Sequence, residues 1–148
     1  IKKNKIIMDQ SNQMITVSAN INAPLEMVWQ CWTDCNHITH WNFASDDWHC
    51  PKAVHDFMEG GRFAYTMSAD DESFSFDYSG QFTNIIPMKS IALLLDDGRK
   101  VEIAFEVSGS STQVTECFEP EHENPADMQR MGWQAILDNF KKHVEGDE

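Results

Sequence analysis

The chain has 148 residues, 41% of them apolar and 24% charged, which suits one globular domain with a sizeable core and excludes a disordered or fibrous chain. Eleven Lys and Arg against 24 Asp and Glu leave a formal charge of -13, and that field repels nucleic acid and anionic lipid surfaces. No apolar run approaches a membrane span, and four cysteines without a framework spacing read as reduced thiols of a cytoplasmic protein.

Residues 1–13 begin basic and carry too short an apolar stretch for a signal peptide, so they read as a disordered or vector-derived terminus. Residues 14–146 read as a single domain, since no repeat or linker divides them. Met14 to Ile21 alternates apolar and polar residues, the period of a strand. Ala23-Pro24 then opens a helix with Pro at its first position, and Leu25, Val28, Trp29 and Trp32 give that helix one apolar face. Asp34 is suited to cap a second short helix carrying His37, Ile38 and Trp41.

Residues 42–59 are irregular apart from a short strand expected at Val54 to Phe57, and Gly60-Gly61 breaks the chain before a meander. Phe63, Tyr65 and Met67 alternate with polar or small neighbours. After an acidic turn, Phe74, Phe76, Tyr78, Gly80 and Phe82 do the same, as an antiparallel hairpin with one buried face requires. Pro87 ends that strand. Ile91 to Leu95 follows, and Asp97-Gly98 makes a tight hairpin turn into Val101, Ile103, Phe105 and Val107. A further turn at Gly109-Ser110-Ser111 leads into Thr112 to Phe118.

The last element is a helix capped by Asn124, with Pro125 at its first position and Gly146 at its end. About 20 residues at 1.5 Å rise make it roughly 30 Å long, enough to cross a sheet. Trp133, Ile136, Leu137, Phe140 and Val144 form its apolar stripe, widened by Met128, Met131 and Ala135. Gly132 interrupts this helix at a cost of about 1 kcal/mol relative to Ala. A close approach to its backbone, by a packed aromatic side chain before a ligand, is the expected reason.

Several segments together resemble one family. Ala23-Pro24, Val28-Trp29, Trp32-Thr33-Asp34 and Trp41 are similar to the opening of the SRPBCC (START-like, birch-pollen-allergen-like) superfamily. Asp56 to Phe63, Phe76 to Gly80, Pro87, Asp97-Gly98-Arg99, Thr112 to Thr115 and Gly132 to Phe140 resemble, more narrowly, bacterial relatives of the C-terminal domain of the activator of heat-shock-protein-90 ATPase. The likeness runs over roughly residues 14 to 145. It implies an α+β helix-grip fold: a curved antiparallel sheet of about six or seven strands wrapped around the long C-terminal helix, with two short helices after the first strand and an apolar cavity inside. The superfamily spans lipid carriers, cyclases, oxygenase subunits and co-chaperones, so the resemblance speaks to fold before activity. The eukaryotic co-chaperone also carries an N-terminal domain that this sequence does not contain.

The cavity wall is the leading functional candidate. Phe63, Tyr65, Met67, Phe74, Phe76, Tyr78 and Phe105 are expected to point inward, with Trp29, Trp32, Trp41, Met128, Met131 and Gly132 closing the other sides. Strict alternation from Val114 to Phe118 also buries Glu116, which requires a partner (Arg62 or Arg130), a raised pKa or a bulge that turns it out. Cys31, Cys35, His37, His40, His49, Cys50 and His55 crowd one stretch, yet their spacings match no familiar metal motif, so no metal is assigned. No nucleophile elbow, phosphate loop or dinucleotide fingerprint is present, and no cofactor is indicated. The first expectation is therefore binding of a small apolar molecule without catalysis. Second stands a cavity enzyme of the cyclase or hydrolase kind using Glu116, Tyr65 or Tyr78. Third stands a chaperone-activator-like interaction protein. No residue speaks for a homodimer.

Overall fold

Seven alternating segments pair into one antiparallel sheet, seen here in a computed structural model that describes residues 14–146. The expectation for residues 1–13 lies outside the described residues. The strands are β1 (Ile15–Ile21), β2 (Trp48–His55), β3 (Arg62–Ala69), β4 (Ser75–Ile86), β5 (Ser90–Leu95), β6 (Lys100–Ser108) and β7 (Ser111–Phe118). Their order across the sheet is β1-β7-β6-β5-β4-β3-β2, so the meander from β2 to β7 runs neighbour to neighbour and β1 closes the far edge. Two short helices, α1 (Leu25–Thr33) and α2 (Cys35–Ile38), follow β1, and α3 (Ala126–Glu145) ends the chain. The sheet curls into a half-barrel around α3, the helix-grip α+β arrangement. Register shifts between His49 and Lys52 and between Phe82 and Asn84 add local bend and twist, as bulges do.

β2 spans eight residues where the sequence suggested only Val54 to Phe57. Pro51 hides it, because a proline interrupts strand patterning, yet an edge strand tolerates one. Both long helices begin one residue later than expected. Pro24 and Pro125 keep extended backbones (ψ 155° and 147°) and occupy the cap positions themselves. Asn124 is therefore not the cap of α3. Instead, Glu121 accepts hydrogen bonds from the backbone N–H groups of Glu123 and Asn124, and the buried Gln129 donates to the carbonyls of Glu121 and Asn124. Asp34 does cap α2, accepting from the Asn36 N–H at 2.8 Å. Trp41 lies past that helix, its indole N–H donating to the Cys31 carbonyl at 3.1 Å.

Leu137 and Phe140 of α3 are fully buried, with Trp32 and Trp41 each 4.8 Å from the Phe140 ring centroid. Trp133 stacks on Phe118 at 3.8 Å and 9°. Polar ties fix α3 along β1: Gln134 and Lys141 donate to the carbonyls of Ser18 and Asn20, and Glu145 accepts from the Asn22 N–H. The Asp-Gly turn forms as its sequence demands, with Gly98 at φ 93°.

One close approach in the sheet gives a first prediction. A Cβ on Gly80 would lie 2.4 Å from the Leu94 carbonyl oxygen and 2.9 Å from the Leu95 Cα, both backbone atoms of the paired strand. Gly80→Ala must push β4 from β5 and is expected to cost about 2 kcal/mol, the scale of overpacking. Urea denaturation checks it, and an unchanged midpoint would contradict the geometry.

Candidate functional site

Because the sheet curls away from the first half of α3, the two surfaces do not meet everywhere. Between them lies a pocket of about 460 Å³, open to solvent where the lining Phe76 and Met128 are exposed, and within the roughly 300–1,000 Å³ typical of small-molecule sites. The sheet side consists of inward positions on successive strands: Phe63, Tyr65 and Met67 of β3, Phe76, Tyr78 and Phe82 of β4, Ile91 and Leu93 of β5, Ile103 of β6 and Glu116 of β7. The helix side is Met128, Gln129, Gly132, Trp133 and Ile136. Trp32, Trp41 and residues 42–45 close one side, joined by Trp48, His55 and Phe57, while Arg99, Glu121 and Asn124 also line the wall.

Of the residues expected from the sequence, Trp32, Trp41, Phe63, Tyr65, Met67, Phe76, Tyr78, Met128, Gly132 and Glu116 line this space. Four do not. Trp29 and Phe105 pack edge-on to one another at 5.1 Å in the core, because α1 lies over the end of β6 and fills the space there. Phe74 is 59% exposed: it precedes β4, where strand alternation has not yet begun, and leans on Trp48. Met131 is 71% exposed, since the helical turn of about 100° per residue carries it off the face that Gly132 presents. Sequence reasoning missed His55 and Phe57, which an edge strand broken by Pro51 concealed, and Asn42 with residues 43–45, which have no periodic signal.

Gly132 also corrects an expectation. Among the described residues, no atom beyond its own helix backbone and chain neighbours lies within 4 Å of where its Cβ would stand, so no packed aromatic side chain there explains it. What faces it is the cavity.

Of the polar groups on the wall, Asn42, Glu116 and Gln129 are buried, whereas Ser45 and Asn124 are exposed. Alternation holds through β7, so Thr112, Val114, Glu116 and Phe118 are all buried and no bulge turns Glu116 outward. Arg62 pairs with Asp96 and Arg130 with Asp127, so neither neutralises it. Burial pushes the Glu116 carboxyl up to about 8, leaving it protonated at neutral pH. Tyr78 stays a neutral phenol, its pKa raised by burial and then by the nearby Glu116 charge. Tyr65 shares a 2.7 Å hydrogen bond with His55 Nδ1, and burial raises the pKa of the former and lowers that of the latter, so this pair is neutral too. Asn42 is 6% exposed; its Nδ2 meets no oxygen or nitrogen acceptor among the described residues, and its side chain reaches only the buried Cys50 thiol, a weak acceptor. The site is thus an aromatic chamber whose buried hydrogen-bonding groups are neutral, one of them an uncharged carboxyl, with the ion-paired Arg99 and the Glu121 carboxylate also on its wall.

A curled antiparallel sheet gripping a long terminal helix over an apolar chamber defines a helix-grip protein, the architecture of the SRPBCC superfamily. The family model of the activator of Hsp90 ATPase homolog 1-like protein matches residues 22–145, and the chain belongs to that family. An AHSA1-like protein from Aeromonas hydrophila is 40% identical, with a TM-score of 0.85 over 90% of this chain and 93% of its own. A Cytophaga hutchinsonii protein is 41% identical, with a TM-score of 0.79 over 91% and 94% of the two chains. CalU16 from Micromonospora echinospora, 22% identical with a TM-score of 0.67, covers 91% of this chain and 76% of its own and shares the fold alone. No curated protein matches the chain. Among the described residues, no helix is long and apolar enough to cross a membrane.

Proposed function

We propose that the protein binds a small, mainly apolar molecule carrying at least one hydrogen-bond acceptor, held between the sheet and α3. The observation that carries this reading is the chamber of about 460 Å³ in front of Gly132, a helix position whose open space no side chain of the described residues fills. Asn42 supports the acceptor. A buried donor left without a partner costs about 1–3 kcal/mol, which a ligand carbonyl or ether would offset. The protonated Glu116 carboxyl and the Tyr78 hydroxyl supply further donors on the same wall. Native mass spectrometry of freshly purified protein tests this. A co-purified mass lost on organic extraction is expected, and failure to take up any neutral aromatic or aliphatic probe would overturn the reading. A cytoplasmic setting accompanies the proposal, since Cys31, Cys35, Cys50 and Cys117 are all free thiols.

Glu116 favours a second reading, a cavity enzyme in which this carboxyl is the general acid, because a pKa of about 8 suits proton donation near neutrality. Turnover of a carbonyl substrate lost in Glu116→Gln with binding retained would establish it; equal turnover would remove it. The family name supports a third, chaperone activation through the outer surface. Stimulation of a chaperone ATPase by this chain tests that directly.

A further inference from the structure

We propose that Cys31, His37 and His143 form a zinc-binding site that clamps α1 and α2 to the last turn of α3. The sulfur and one ring nitrogen of each histidine all lie within 4.8 Å of one another. His37 Nδ1 and His143 Nε2 already face each other at 2.9 Å, sharing a hydrogen bond. Tetrahedral zinc with bonds of about 2.0–2.3 Å places neighbouring donor atoms about 3.3–3.6 Å apart. Zinc in place of this hydrogen bond requires the donor ring to carry its proton on its other nitrogen, and asks the two rings to separate by a few tenths of an ångström (~0.4 Å) and the thiol to swing inward. One thiolate with two imidazoles is a donor set that zinc accepts, and the fourth position is left for water.

The surroundings favour a cation. His143 lies in the last turn of α3, at the negative end of the helix dipole. The Asp34 charge acts on Cys31. The Cys31 backbone is held by the Trp41 indole N–H, and Cys31 itself is 5% exposed while both histidines are half-buried, so the donors are partly preorganised and reachable. His40 stacks flat against His143, with ring centroids 5.6 Å apart. Burial raises the pKa of the Cys31 thiol, so metal uptake must release its proton. None of the three residues lines the ligand chamber, and the proposal stands independently of what that chamber binds. Local spacing could not reveal the site, because His143 is 106 residues from His37.

Chelator-treated protein titrated with cobalt(II) tests it. One equivalent is expected to produce the d–d bands of tetrahedral cobalt and a thiolate charge-transfer band, both bleached by zinc. A 100-fold excess of zinc over its dissociation constant is expected to raise the thermal midpoint by roughly 5–10 °C. Cys31→Ser should abolish the charge-transfer band. His143→Gln, at the half-exposed end of α3, should weaken cobalt binding at least tenfold while keeping its far-ultraviolet circular dichroism. His49→Gln, on β2, should bind as the parent does. Absence of the thiolate band in the parent, or unchanged affinity in His143→Gln, would overturn the site.

Discussion

Glu116→Gln is expected to stabilise the protein by about 4 kcal/mol at pH 8, yet by only about 1 kcal/mol at pH 5. The folded carboxyl has its pKa raised by burial from 4.5 to about 8. Between those two values the native state binds a proton that the unfolded chain has released. The stabilising effect of that proton is fully present below about pH 4.5 and is lost as pH climbs through 8, at about 1.4 kcal/mol per unit. Glutamine is neutral throughout and nearly the same shape, so it escapes this loss while preserving an N–H donor towards the chamber. His55 acts in the opposite direction. Its folded pKa is lowered by burial, so its contribution grows as pH rises towards 6.5 and is complete above that value. Because His55 is present in both proteins, the difference between their urea-denaturation profiles isolates Glu116. Parallel profiles from pH 5 to pH 9 would show that the carboxyl is not held uncharged.

The second large effect concerns occupancy of the chamber. Gly132→Phe should lower the affinity for a neutral aromatic probe such as N-phenyl-1-naphthylamine by about 100-fold, equivalent to about 2.7 kcal/mol. The new benzyl group would start from a position that no side chain of the described residues approaches within 4 Å and project into the space the probe needs. Gly132→Ala separates this from damage to the helix. Alanine should add about 1 kcal/mol of stability, by removing the mid-helix glycine penalty, while leaving most of the chamber open. Fluorescence titration of the three proteins reads both quantities against denaturation midpoints. Equal probe affinity in Gly132→Phe would place the probe elsewhere.

The proline-marked starts of α1 and α3 and the aromatic alternation of β3 and β4 were legible because they depend on residues close in sequence. The errors at that level have local causes as well. Pro51 hid an edge strand, and two prolines took cap positions that the sequence alone assigned one residue differently. Glu116 was legible for the same reason as the strands, since a carboxylate in an apolar alternation of period two must face the core. Arg62 and Arg130, by contrast, were plausible partners until Asp96 and Asp127 were seen to hold them.

By itself the sequence determined the elements, the inward faces of the meander and the anomaly of Gly132 inside a helix. Tertiary structure decided which inward side chains meet empty space and which meet one another. Tyr78 and Phe105 obey the same alternation, yet one lines the chamber while α1 covers the other. It also brought His143 to Cys31 and His37, and left Asn42 Nδ2 buried without an oxygen or nitrogen acceptor among the described residues. The reason is physical: secondary structure follows from the period of the pattern along a few residues, whereas a void follows from how far a bulged, twisted sheet stands from the helix it holds.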